Sequence, residues 1–333
     1  MKPYAKLTFR GKILRLRKLA IKTLANYSIE VERVRYLTTE STTMFRIDAK
    51  DGSRYVLRIY SEMDSSIVEN KTEMYWLTAL ARDTDLPVIQ PVARKDGDYI
   101  SLVSMEGIPA EKRCALYKWV PGVQLVNHIS PKNYRKFGSL VAQLHNHAET
   151  LQLPAELQPK RWDRVFYFPD EPIVYDQAEY ASLFTPQQLS TLEKAIARVS
   201  PFLTSLYRAQ ASNPMLIHGD LHYWNVHISR GNLYLIDFED MVDGFPIQDV
   251  AISFYYLRNR DDYQSLTDAF WEGYARERNL PPFNEHDLRL LWMARMANFV
   301  NYVAHSEDAE DAKPYIAARC EELEGFLAEM EIV

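Results

Sequence analysis

Leu216-Ile217-His218-Gly219-Asp220-Leu221-His222-Tyr223-Trp224-Asn225-Val226, followed by the turn Gly231-Asn232 and the run Leu233-Tyr234-Leu235-Ile236-Asp237-Phe238-Glu239-Asp240, is the most informative stretch of this 333-residue chain. Asp220 and Asn225 fall in a loop between two strand-like runs, Met215–Ile217 and Leu233–Asp237, and Asp237 closes the second run. Loops held by strands are where reacting groups are positioned. An Asn and an Asp brought together by a hairpin offer hard oxygen ligands, suited to Mg2+ carrying nucleotide phosphates rather than to zinc. Asp220 is then left to accept a proton from an incoming hydroxyl. A carboxylate base beside an Asn/Asp metal clamp is the equipment of phosphoryl transfer. Asp and Asn also shape turns, but three separate turns would then have to mimic one site.

Working outward, the composition is that of a globular protein, 47% hydrophobic and 25% charged, which excludes disordered and fibrous classes. At 333 residues the chain is long enough for about two domains. Its two cysteines, Cys114 and Cys320, cannot make a disulfide framework and point to a reducing compartment. Mean hydropathy is −0.32, and no apolar run approaches the roughly 18 residues of a membrane span. The N-terminus lacks the apolar core of a secretory signal, so the expectation is a cytoplasmic protein that meets neither membrane nor nucleic acid. Charge is uneven: residues 1–118 hold 21 Lys+Arg against 15 Asp+Glu, whereas 119–333 hold 18 against 30. The first part would attract a polyanion and the second a cation.

Residues 1–29 contain eight Lys/Arg and no acid, and read as a short first helix with a solvated basic face. Branched and aromatic runs at Ile29–Leu37, Met44–Ile47 and Tyr55–Tyr60 predict strands, with a hairpin at Asp51-Gly52. A helix is expected over 65–82, and further strands over 88–94, 99–104 and 113–120. Pro121-Gly122 then breaks the pattern and marks the boundary between an N-terminal lobe, 1–120, and a C-terminal lobe, 121–333. The second lobe reads as helical at 131–148, 186–210, 246–257, 261–278, 284–305 and 308–330. Residues 150–185, rich in Pro and aromatics, resist assignment. The fold class is therefore α+β, with an antiparallel sheet and one main helix in the first lobe.

In Arg54-Tyr55-Val56-Leu57-Arg58-Ile59-Tyr60, alternation puts Tyr55, Leu57 and Ile59 on one strand face and Val56 and Arg58 on the other. Arg58 is either a bidentate partner for phosphate or carboxylate or an Arg on a solvated face. Glu69 and Glu73 share a face of the 65–82 helix, one turn apart.

The loop and the strand after it resemble the catalytic loop and metal-binding strand of the aminoglycoside phosphotransferase/choline kinase-like family, in style nearest to homoserine kinase type II and the bacterial stress-response kinases. That resemblance covers nearly the whole chain and implies a bilobal protein-kinase-like fold. It implies Asp220 as catalytic base, Asn225 and Asp237 as Mg2+ ligands, and His218 as a brace of the loop. Asp249, in Gln248-Asp249-Val250-Ala251, matches the family's D-x-A helix start, a structural role. Backbone groups near Leu116–Trp119, including Tyr117 and Trp119, would hold adenine. Arg58 stands where the fold has its phosphate-gripping Lys, and Glu73, within an acid-plus-Trp-Leu block, would steady it, with Glu69 in reserve. Thr38-Thr39-Glu40-Ser41-Thr42-Thr43 occupies the place of the glycine-rich nucleotide loop without a single glycine. Ser41, Thr42 and Thr43 would then offer hydroxyls and a few amides to the phosphates.

The implied activity is ATP- and Mg2+-dependent transfer of the γ-phosphoryl group to a small-molecule hydroxyl, on an amino alcohol, sugar, aminoglycoside or amino acid. The alternatives are a Ser/Thr protein kinase of the stress-response type and a nucleotide-binding regulator without chemistry. His222 and His227 lack the further ligands of a zinc site. His145 and His147 read as a structural pair on a helix. Glu239, Asp240 and Asp243 either face a cationic acceptor or form a solvated turn.

Overall fold

The computed structural model describes residues 2–39, 42–61, 65–168, 171–208, 213–282 and 284–331. Its contacts group the chain into two units. The first comprises residues 1–128, 152–158 and 224–239, and the second 129–151, 159–223 and 240–333. Residues 121–128 and the Asn225–Asp237 hairpin thus belong with the N-terminal part of the chain, so the units interleave along the sequence.

The first unit is built on five strands, numbered in chain order: β1 (Val31–Thr39), β2 (Thr43–Ala49), β3 (Arg54–Ile59), β4 (Ile100–Val103) and β5 (Lys112–Lys118). They lie in the order β1-β2-β3-β5-β4, every pair antiparallel. The β2–β3 hairpin turns at Asp51-Gly52, where Gly52 has φ +85°. One face of the sheet buries Phe45, Ile47, Leu57 and Ile59 against helix α1 (Phe9–Leu24), which contributes Leu16, Leu19, Ala20 and Leu24. Removing each of the Leu, Ile and Phe side chains from water contributes about 1.5–3 kcal/mol. The basic side of α1 is partly engaged rather than wholly solvated: Arg15, Arg17 and Lys22 donate to the carbonyls of Gly107, Val34 and Ser104.

Helix α2 (Ile67–Asp83) opens with a capping box in which Ser66 Oγ accepts the Glu69 N–H and Glu69 accepts the Ser66 N–H. The strand expected at 88–94 is absent. That segment makes isolated bridges, Val88 to Leu235 and Pro91 to Tyr117, because Pro87 and Pro91 have no N–H to continue a ladder. A second sheet in this unit joins β6 (Val123–Gln124), β8 (Val226–Ser229) and β9 (Asn232–Leu235). The β8–β9 loop is Arg230-Gly231, with φ +51° and +81°, so the turn lies one residue earlier than expected and Asn232 begins β9. Two positive φ values suit the right-handed twist of a two-residue hairpin.

The second unit is helical, with α3 (Pro131–Thr150), α4 (Pro186–Arg208), α5 (Pro246–Tyr255), α6 (Tyr263–Tyr274), α7 (Glu285–Ser306) and α8 (Ala309–Glu331), plus a two-stranded ribbon of β7 (Met215–Ile217) and β10 (Val242–Gly244). Helices α3 and α6 cross at Gly138 and Gly273. A Cβ on Gly138 would lie 1.9 Å from the Phe270 carbonyl oxygen, and one on Gly273 1.8 Å from that of Arg135. Only glycine allows this approach.

Candidate active site

Asp220 follows β7 in the second unit, and the loop that carries it is braced from beneath. Asp249, buried in the first turn of α5, accepts the backbone N–H of His218 on Oδ2 at 2.9 Å and that of Gly219 on Oδ1 at 2.8 Å. The same Oδ2 lies 3.1 Å from His145 Nε2, while His145 Nδ1 lies 2.9 Å from the Tyr274 hydroxyl. With Asp249 as acceptor, Nε2 carries the imidazole proton and Nδ1 accepts from Tyr274. His145 is therefore structural through Asp249 and Tyr274, not through a pairing with His147, which at two residues' distance faces elsewhere on α3. Gly219 has φ +78°, and a Cβ there would stand 2.0 Å from the Asp240 carbonyl oxygen. His218 Nδ1 accepts the Asp220 N–H at 3.4 Å, and Ser253 Oγ donates to the Leu221 carbonyl at 2.6 Å.

Both carboxylate oxygens of Asp220 are engaged. Arg295 Nη2 donates to Oδ1 at 2.5 Å, and His222 Nε2 lies 3.0 Å from Oδ2. Burial by itself would push this acid up, but His222 and Arg295 outweigh it and hold the carboxyl well below the usual range. The same Arg295 nitrogen donates to the Tyr256 hydroxyl at 3.0 Å. Sequence reasoning did not pick out Arg295, and weighed His222 only as a metal ligand. The signal was present: Arg295 is the one polar residue in Leu290-Leu291-Trp292-Met293-Ala294-Arg295-Met296-Ala297, and it is buried.

Asn225 and Asp237 lie on the same hairpin of the first unit. The Asn225 carbonyl accepts the Ile236 N–H at 3.0 Å, which sets Asn225 across the hairpin from the residue before Asp237. Asp237 does not end a strand as expected. It lies beyond β9 with φ +67°, a left-handed conformation that Asp tolerates better than most residues. Phe238 then turns inward onto Trp76 of α2, ring centroids 5.3 Å apart. Asp237 and Glu239 thereby flank a buried anchor. Arg58 Nη2 lies 2.6 Å from Asp237 Oδ1, and Nη1 lies 3.4 Å from Glu239 and 3.6 Å from Glu73. Arg58 is only 3% exposed, so it does not stand on a solvated strand face.

Glu73 is buried in α2 and accepts the hydroxyls of Tyr60 at 2.9 Å and Tyr117 at 2.7 Å. Burial raises its carboxyl above the ordinary 4.5, against the lowering effect of Arg58 and the two tyrosines. Glu69, the reserve, is occupied by the α2 cap. Thr42 and Thr43 are buried, and Thr43 Oγ1 accepts from the Thr39 hydroxyl at 3.2 Å; Ser41 lies outside the described residues. Near the expected adenine contacts, the Lys118 and Trp119 amides donate to the Gln90 and Arg54 carbonyls. The Tyr117 ring points to Glu73, and Trp119 stacks with Arg46 at 5.3 Å.

The donor set at the hairpin is an Asn amide with Asp and Glu carboxylates, and one guanidinium faces three acids. That chemistry fits a hard divalent cation. Among the described residues no group of three or more His, Cys, Asp or Glu side chains forms a metal cage, so an ion there would keep waters and phosphate oxygens as ligands, as Mg2+ does. Asp240 and Asp243 are paired within their unit, with Lys160 at 3.8 Å and Arg161 at 2.9 Å. Among the described residues no helix is long and apolar enough to cross a membrane, and Cys114 and Cys320 are both free thiols.

The family model of the phosphotransferase enzyme family matches residues 36–291. The chain belongs to that family. This family member is 22% identical to the amicoumacin kinase of Bacillus subtilis over 81% of its own length and 80% of that protein's. It is 26% identical to the uncharacterized protein sll1119 of Synechocystis sp. over 71% of its own length, spanning 63% of that relative. Among solved structures it is similar to a microcompartment-associated aminopropanol kinase, with TM-score 0.78 and 20% identity over 94% of this chain and 98% of that one. It is also similar to an amicoumacin kinase in complex with AMP-PNP, Ca2+ and Ami, with TM-score 0.76 and 18% identity over 94% and 96%. The fold of this family member is the α+β, protein-kinase-like one that the sequence led us to expect.

Proposed function

We propose that this protein is an ATP-dependent phosphotransferase that moves the γ-phosphoryl group to a hydroxyl of a small molecule. The observation that carries the proposal is the chemistry at the Asn225–Asp237 hairpin: three carboxylates converge on one buried guanidinium beside an Asn. Such oxygen donors suit a hard cation. Asn225 and Asp237 are the proposed ligands, and Mg2+ bound there would supply charge neutralisation to the phosphate oxygens. Arg58, with Glu73 as its buried counter-charge, offers a fork to the α/β-phosphates.

Asp220 is the proposed base. A carboxylate held ionised by His222 and Arg295 is a weak proton acceptor but a well-oriented hydrogen-bond acceptor. That suits a loose transition state, in which positioning matters most. The acceptor oxygen attacks the γ-phosphorus, the bond to the β-bridging oxygen breaks, ADP leaves, and the hydroxyl proton passes to Asp220. Similarity to an amicoumacin kinase and an aminopropanol kinase supports a small-molecule acceptor. The expected setting is cytoplasmic.

The test is incubation with γ-labelled ATP and Mg2+ on a panel of amino alcohols, sugars, aminoglycosides and hydroxy amino acids, with a cell extract in parallel. Mg2+-dependent label in a panel compound supports the proposal. Label confined to protein bands replaces it with a protein acceptor, and no ATP consumption anywhere refutes catalysis.

A further inference from the structure

We infer that Arg295 is a positioning residue for the reaction, one that fixes the direction and charge of Asp220 from a helix 75 residues further along the chain. The inference rests on the proposed role of Asp220 and deepens it. Arg295 is 4% exposed in the core of α7, between residues that are otherwise apolar and buried. Its guanidinium is enclosed by the rings of Phe299 at 4.7 Å, Tyr256 at 5.4 Å and Tyr255 at 6.0 Å. Its Nε has no hydrogen-bond partner among the described residues.

Taking a guanidinium out of water costs several kcal/mol, and an apolar side chain of the same volume often serves stability as well or better. A Met at this position would pack among the rings at no desolvation cost. The charge is therefore not accounted for by packing. It is accounted for by Asp220: Nη2 directs its two hydrogens to Asp220 Oδ1 and to the Tyr256 hydroxyl. Tyr256, just past the end of α5, in turn packs its ring on His222 at 4.5 Å, and His222 holds the other Asp220 oxygen. The carboxylate is thus gripped on both sides by groups that also support each other.

Among the described residues, the charged and titratable groups that face Asp220 include His222 from its own loop, Arg295 from α7, Tyr256 from the end of α5 and Tyr167 from the irregular segment before α4. Asp240 acts on the same surroundings through Tyr167. Of these, Arg295 is the permanent cation.

The decisive experiment compares Arg295→Met, Arg295→Lys and Tyr256→Phe with the wild type, reading kcat and kcat/KM against pH. In parallel, 13C NMR follows the titration of the Asp220 carboxyl, assigned with Asp220→Asn. For Arg295→Met we expect a folded protein, kcat reduced about tenfold or more, KM for ATP within twofold, and the Asp220 titration and the acidic limb of kcat/KM both moved up by at least one pH unit. Arg295→Lys should restore most of the pH position, and Tyr256→Phe should lower kcat by about threefold. A folded Arg295→Met variant with unchanged kcat and unchanged Asp220 titration overturns the inference. Should Arg295→Met fail to fold, Arg295→Lys and Tyr256→Phe decide it: a wild-type kcat and pH profile in both overturns it, and the graded losses sustain it. Because the NMR titration needs no turnover, it separates the two readings. A wild type inactive on every acceptor refutes the proposed function, whereas an Asp220 titration unmoved in Arg295→Met refutes the coupling.

Discussion

Two buried arginines each grip an aspartate, and they do so in opposite electrostatic settings. Arg58, on β3 of the first unit, meets Asp237, Glu239 and Glu73, so acids outnumber the cation three to one. Arg295, on α7 of the second unit, meets among the described residues one acid, Asp220, which His222 also holds, and the rings of Tyr256 and Phe299. The first arrangement gathers several acids around one cation. The second is balanced, so its carboxylate stays ionised and fixed. In the proposed function the first arrangement would recruit positive charge to phosphate, and the second would offer a hydroxyl a stationary acceptor.

The sharpest way to break the comparison is Asp220→Asn. Turnover should fall by about a thousandfold while nucleotide affinity stays within twofold, as read by single-turnover transfer and calorimetric titration. Next in size, Arg58→Met leaves three carboxylates without their guanidinium and should destabilise the first unit by about 3–5 kcal/mol in urea unfolding. Adding Glu73→Gln should recover part of that loss, and a purely additive double-mutant cycle would contradict the shared cluster. Asp237→Asn removes one carboxylate of the proposed metal site and should raise the Mg2+ concentration for half-maximal activity by at least about tenfold.

Acidity offers a subtler contrast, because the two sites carry opposite signs. The Asp220 carboxyl lies below its ordinary 3.8. Its stabilising contribution is therefore fully present above that pH and lost as pH falls through the depressed value. The Glu73 carboxyl lies above its ordinary 4.5, so the folded state keeps that proton longer, and stability is lost as pH rises from 4.5 through the raised value. Between pH 4.5 and 7, melting temperatures should therefore shift in favour of Glu73→Gln relative to wild type as pH rises, while the Asp220→Asn difference stays flat. The smallest expected effect belongs to Glu69→Ala, which removes one half of the α2 capping box. It should lower stability by about 0.3–1.5 kcal/mol and leave kcat unchanged.

Much of this was legible in the residues. Strands β1 to β3 are legible in their branched and aromatic runs and in Asp51-Gly52, and the helix α2 and the C-terminal helices in the placement of their apolar residues, because these signals are local. The segment 88–94 carries the branched residues of a strand, yet Pro87 and Pro91 deny it the backbone N–H groups that decide a ladder. Strand β8 went unnoticed since four residues beside a catalytic-type loop carry too little pattern to count. The choice of Glu73 over Glu69 rested on neighbouring residues, and capping geometry supplies the separate reason that Glu69 is engaged.

By itself, the sequence determined the fold class and the identity of the loop that carries Asp220 and Asn225, because both are written in spacings of a few residues. Only the tertiary structure decided the state of the charges. Arg58 meets Asp237 and Glu239 across 179 and 181 residues of chain, and Arg295 meets Asp220 across 75. No periodicity spans such distances. The field at a buried carboxylate depends on which cations folding brings within a few ångströms of it.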